Sequence, residues 1–138
     1  MINIHEKTLK DLEFSTVLQQ VSEYCVTHLG NQKALDIKPF DTKENVLKSL
    51  QLTNEYVSSY YNGNRIPNHG FDTITKELQL LRIENTYLET HSLKKIVSIS
   101  LTNNEIVKFF KKFEEYYPGL NEYASNIEVT TAIIEKID

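Results

Sequence analysis

Residues 8 to 39, TLKDLEFSTVLQQVSEYCVTHLGNQKALDIKP, decide the fold class. Val17, Leu18, Val21, Tyr24, Cys25 and Leu29 recur at steps of one, three and four, which sets them along one side of a helix of 3.6 residues per turn. Ser15 stands where a hydroxyl can cap that helix by accepting a hydrogen bond from an unpaired N–H of the first turn. Leu9, Leu12 and Phe14 lie just ahead as packing residues for the helix entry. Gly30 is read as a tight change of direction after Leu29. A second short run carrying Ala34, Leu35 and Ile37 then ends at Pro39, because proline disfavours the helical conformation of the residue before it.

Downstream the helical period continues. Val46, Leu47, Leu50, Val57, Tyr60 and Tyr61 mark one side of a helix between Asp41 and Asn62, with Asp41 and Glu44 in the spacing of a capping box. The run NGNRIPNHGF, from Asn62 to Phe71, breaks regular structure and predicts the longest loop. Asp72 is placed to cap a shorter helix with Ile74, Leu78 and Leu81 that frays near Asn85. The longest periodic segment runs from Thr90 to about Tyr116, with Leu93, Ile96, Val97, Leu101, Val107, Phe110 and Phe113 on its inner side. The YYPG run from Tyr116 to Gly119 ends it. Leu120, Tyr123 and Ile127 suggest a short helix, and Val129, Ala132, Ile133 and Ile137 a last one. Hairpin dipeptides between β-branched runs and glycine-rich strand-to-helix turns are absent. The expectation is an all-α, bundle-like single domain over residues 1–138, with about six helices and no sheet. Val21, Cys25, Leu50, Val57, Val97 and Phe110 are expected inside it.

Composition bounds the function. A chain of 138 residues is long enough to bury one core, and 40% hydrophobic with 25% charged residues is the make-up of a globular protein. One cysteine excludes an internal disulfide framework and fits a cytoplasmic location. The start MINIHEK lacks the apolar centre of a signal peptide, and no apolar run approaches the ~18 residues of a membrane span. A net charge of -4 argues against a nucleic-acid footprint over the whole surface, since phosphate binding depends on clustered lysine and arginine.

Chemistry-bearing motifs are sparse. His5, His28, His69 and His91 are scattered, without the spacing of two ligands on one helix face, so no metal site is expected. Neither a GxxxxGK[ST] phosphate loop nor a GxSxG turn is present, so no catalytic or cofactor-binding residue is assigned. His69 is the best-placed loop histidine, and a weaker reading pairs it with carboxylates of Asp72 or Glu84. The one basic cluster, Lys94, Lys95, Lys108, Lys111 and Lys112, is a candidate weak nucleic-acid strip on the long helix. Glu105, Glu114 and Glu115 share that helix and favour a solvated mixed-charge face.

The pattern TLxxLEF followed by LG, AL and KP, the loop GNRIPNHGFDTI and the closing IEVTTAIIEKID together resemble the opening of the second bacterial MutS subfamily. The resemblance covers nearly all of the chain and implies the amino-terminal core or lever region, within a longer parent. It further implies that the parent is a homodimeric ATPase using ATP and Mg, and an endonuclease in some members. Such a parent binds branched or mismatched DNA, suppresses recombination and, for some members, acts on stalled ribosomes. The fragment itself is then expected to be non-catalytic, with the remainder of its own chain as partner and no membrane contact. The rival reading is a free-standing helical adaptor for a partner helix.

Overall fold

The computed structural model describes residues 3–137. Among the described residues there are eight helices and no strand: α1 Glu6–Asp11, α2 Phe14–Glu23, α3 His28–Leu35, α4 Lys43–Ser58, α5 Thr75–Leu80, α6 Thr90–Lys112, α7 Pro118–Ala124 and α8 Ala132–Ile137. The protein is all-α, as its periodicity predicts. Contacts gather in two compact units, Met1–Leu50 and Gln51–Asp138, with the boundary inside α4.

In the first unit, α1 is a helix that periodicity did not single out. It passes into α2 through Glu13, which takes a left-handed conformation with φ 50. Glu13 therefore occupies the N-cap of α2, without a side-chain cap bond, and Ser15 is already inside the helix. α2 stops at Glu23, earlier than the apolar stripe suggests, and Thr27 starts α3 with its Oγ1 accepting from Gly30 N at 2.9 Å. Gly30 is thus within α3 and is not the turn. A Cβ at this position would stand 2.9 Å from Thr27 Oγ1, so glycine lets the capping hydroxyl lie against the first turn. Asn31 Nδ2 donates to Ser22 O at 3.0 Å and ties α3 to α2. Leu18, Ser22 and Ala34 are buried.

α4 is capped by Thr42, whose Oγ1 accepts from Asn45 N at 3.2 Å, and not by Asp41, whose carboxylate takes the Asn45 side chain. Its expected inner side is its outer one. Leu47 is 55% exposed, Leu50 59% and Val57 45%, whereas Glu55 and Ser59 are buried. Val21 is exposed as well, Cys25 and Val97 are half-buried, and Phe110 is in the core as expected. Leu50 is therefore not a core residue, and its truncation to Ala should cost little stability.

The core of the second unit is Phe110, Tyr117 and Ala124, flanked by Ile66, Ile106, Phe109, Phe113 and Leu120. Phe110 meets Tyr117 edge to face, at 5.9 Å between centroids and 80° between planes, a favoured aromatic geometry. α5 starts after Ile74, with no cap from Asp72, and ends at Leu80. Asn85, in a left-handed conformation, and the Thr86 hydroxyl, 2.7 Å from Leu80 O, close the following turn. α6 ends at Lys112, before the tyrosines. Pro118 then opens α7 at its first position, where its missing N–H costs nothing. Asn104 is buried on α6 and reads the backbone of Thr130 in both directions, Nδ2 donating to Thr130 O at 2.7 Å and Oδ1 accepting from Thr130 N at 3.0 Å. That pair fixes the approach to α8.

Candidate functional site

The loop between α4 and α5 carries Asn62, Asn64, Asn68 and His69. Asn62 and Asn68 each accept from the backbone two residues on, Asn64 N at 3.0 Å and Gly70 N at 3.1 Å, so both bends are Asx turns. Tyr117 fastens the first bend: its hydroxyl bonds Asn64 O and lies 3.1 Å from Asn62 Oδ1, while its ring is fully buried. His69 fastens the second. Its Nδ1 faces Pro67 O at 3.1 Å and its Nε2 faces the Tyr56 hydroxyl at 3.2 Å. A carbonyl only accepts, so in the neutral ring Nδ1 carries the proton and Nε2 accepts from Tyr56. Both ring nitrogens are consumed in holding the loop, and neither Asp72 nor Glu84 is among the partners of His69. The histidine pins a loop to a helix here, and the arrangement has no nucleophile–base pair.

Tyr56 also lies 3.1 Å from the Tyr60 hydroxyl, and Arg65 sits over the Tyr60 ring at 5.1 Å. The bond with Tyr60, and then burial, push the Tyr56 phenol up to about 12. A raised folded value means that the stabilisation is complete below the unfolded value of about 10 and is lost as pH rises through about 12. In a spectrophotometric titration of tyrosinate, Tyr56→Phe should delete the last ionisation step and leave the earlier ones in place. Loss of an early step instead would show that Tyr56 is not the shielded phenol.

One residue before Tyr56, Glu55 places a buried carboxylate against the start of α7. Oε1 accepts from Gly119 N at 3.0 Å and Oε2 from Leu120 N at 2.9 Å, and Gln51 Nε2 donates to Oε1 at 3.0 Å. Two N–H groups that a helix start leaves unpaired are thus satisfied from α4. Gly119 allows this approach, since a Cβ there would be 3.0 Å from both Glu55 Oε1 and Leu52 Cδ2.

The five lysines of the basic cluster divide. At roughly 100° per residue, Lys94, Lys108 and Lys112 share one azimuth of α6, while Lys95 and Lys111 lie to opposite sides of it. Lys95 Nζ contacts Glu77 Oε1 at 3.4 Å. Glu77 is held below the usual carboxylate value by its own backbone hydrogen bond and then by Lys95. Lys112 Nζ sits 5.2 Å over the Phe113 ring. Leu101 and Glu105 stand between Lys94 and Lys108 on the shared azimuth, so the row is interrupted by an apolar and an acidic side chain. No group of three or more histidine, cysteine, aspartate or glutamate side chains that could hold a metal occurs among the described residues.

The chain is 25% identical over 137 residues to endonuclease MutS2 of Alkaliphilus oremlandii, 27% over 139 residues to that of Staphylococcus carnosus and 28% over 142 residues to that of a Geobacillus species. Each match takes in 97–98% of this chain. The chain is similar to a segment of MutS2. It spans 17–18% of the length of these curated relatives. No family model and no solved structure matches it.

In this MutS2-like segment the residues that organise the second unit, Tyr117, Glu55 and Asn104, are ones that periodicity did not mark. Tyr117 carried one legible signal, its place before Pro118, which favours an extended backbone at that residue. Glu55 carried another, since it falls on the face of α4 opposite Leu50 and Val57. No helix among the described residues is long and apolar enough to cross a membrane.

Proposed function

We propose that this MutS2-like segment is a non-catalytic lever, passing movement between the ATPase and the nucleic-acid clamp of a longer MutS-family protein. The observation that carries the reading is α6: an unbroken helix of 23 residues, about 35 Å at 1.5 Å per residue. The chain after it is fastened by buried polar bonds, α7 through Glu55 and the approach to α8 through Asn104. A displacement applied to one end of such an assembly moves the other, because its helices are held by directional bonds and not by apolar contact alone.

On this reading ATP, Mg and any nuclease chemistry belong to other parts of a cytoplasmic, homodimeric parent. Branched or mismatched DNA, restraint of recombination and action on stalled ribosomes are properties of that parent. The interrupted lysine row positions or lightly steadies nucleic acid and does not grip it.

The test is a titration of the purified chain with linear and branched DNA at two salt concentrations, beside a variant with Lys108, Lys111 and Lys112 changed to Ala. Weak binding that disappears at the higher salt is expected, because the log-log salt slope is about -0.9 per phosphate neutralised. Neither ATP hydrolysis nor DNA cleavage should accompany it. Tight binding to branched DNA that survives the higher salt and is lost in the triple variant would make the lysines a site and overturn the lever reading.

A further inference from the structure

Gly63 is a glycine that the fold does not require. Its φ is not positive, and a Cβ built on it would meet no heavy atom within 4 Å. It is exposed in the bend after α4, and its N–H has no hydrogen-bond partner among the described residues. The residue before it is Asn62, and the two form the one Asn–Gly pair in the chain. Such a pair has a chemistry of its own. A glycine nitrogen, with no Cβ to crowd its approach, can close on the asparagine Cγ in a five-membered ring.

The bend holds Asn62 ready for that closure. Its Oδ1 accepts from Asn64 N at 3.0 Å, which draws the side chain back over the peptide that joins it to Gly63. The Tyr117 hydroxyl lies 3.1 Å from the same oxygen, although its one proton is shared with Asn64 O, so Asn64 N–H is the firm donor. Negative charge collects on Oδ1 as Cγ becomes tetrahedral, and these donors stand where an oxyanion is stabilised. Nδ2, the group that must leave, has no hydrogen-bond partner among the described residues.

We propose that Asn62 is a site of spontaneous covalent modification, converted in the folded chain to aspartate or isoaspartate through a succinimide. Gly63 N gives its proton to a solvent base and bonds to Cγ. The Cγ–Nδ2 bond then breaks, and the nitrogen leaves as ammonia with a proton from water. Water next adds to either ring carbonyl. At Cγ it breaks the new bond to Gly63 N and leaves aspartate; at the main-chain carbon it breaks the original peptide bond and leaves isoaspartate, with the chain running on through Cβ and Cγ. One water is consumed and one ammonia released, without oxidant or reductant. The two products differ at the Tyr117 fastening. Aspartate keeps Oδ1 and adds a charge that strengthens its bonds to the donors. Isoaspartate lengthens the main chain by one atom and turns the old acceptor into a main-chain carbonyl, so the fastened bend must be rebuilt. This inference does not rest on the lever reading, and the DNA titration does not bear on it.

Incubating the purified chain at mildly alkaline pH, followed by peptide mass spectrometry and enzymatic methylation of isoaspartate, tests it. The mass gain of an NH₂-to-OH exchange is expected at Asn62 ahead of every other asparagine, together with a methylatable isoaspartate. Gly63→Ala, which the open space around Gly63 tolerates, should slow the conversion about 10-fold or more, equivalent to about 1.4 kcal/mol in its barrier. The aged chain should unfold at lower urea concentration than the fresh one, in proportion to its isoaspartate, whereas freshly prepared Asn62→Asp should keep the wild-type midpoint. Conversion confined to the urea-unfolded chain overturns the proposal, since the folded bend would then shield Asn62. A Gly63→Ala chain that reacts at the wild-type rate, or an isoaspartate form as stable as the fresh chain, overturns it equally.

Discussion

Tyr117→Ala is expected to remove about 3 to 5 kcal/mol of stability, the range for deleting a large buried aromatic side chain. The ring is fully buried between Phe109 and Phe110, at 5.8 Å and 5.9 Å between centroids. Its hydroxyl is the fastening of the loop after α4, through Asn64 O and Asn62 Oδ1. Tyr117→Phe separates the two contributions: it keeps the ring and should cost about 1 to 3 kcal/mol, the penalty for leaving a buried acceptor unpaired. Urea unfolding followed by circular dichroism measures both. If Phe and Ala cost the same, the ring contributes little and the core has been placed wrongly. If Phe costs nothing, the loop is held by Ile66 and His69 without the tyrosine hydroxyl.

Glu55→Ala is expected to cost about 3 kcal/mol or more, because it strips a charged acceptor from two backbone N–H groups at once. Gly119 is buried and its N–H is bonded to Glu55, so without the carboxylate α7 would start with unpaired donors. Glu55→Gln should recover part of the loss, since one amide oxygen still accepts while the NH₂ group faces a donor. Hydrogen exchange at Gly119 and Leu120 provides the local readout, and in Glu55→Ala both amides should exchange faster than those in the middle of α6. Protection at these two amides unchanged by the substitution would show that α7 is held by its apolar side alone. A control at Leu50, 59% exposed on the far side of α4, should lose little.

Element positions were legible in the sequence wherever a period met a strong breaker. The 3.6-residue period from Thr90, stopped before Pro118, located α6, and NGNRIPNHGF located the loop that Tyr117 and His69 later tie down. Caps were read less well. Ser15, Asp41 and Asp72 all had the right chemistry, but Glu13, Thr42 and Ile74 took the positions, because a cap depends on where the preceding chain enters and not on side-chain type alone.

Burial was decided by tertiary structure. Periodicity says which residues share a face of α4; it does not say what lies opposite that face. The apolar side with Leu47, Leu50 and Val57 is turned outward, and the polar side with Glu55 and Ser59 is buried, because the start of α7 offers N–H groups that only an acceptor can satisfy. The lysines of α6 divide for the same kind of reason: their spacing on the helix is local, but Glu77 reaches Lys95 from another element. What the sequence by itself determined is thus the helical content, the long rod, the loop and the similarity in order and spacing to MutS2. The tertiary structure alone decided which faces are inside, since a hydrogen-bond partner 64 residues away leaves no trace in a local period.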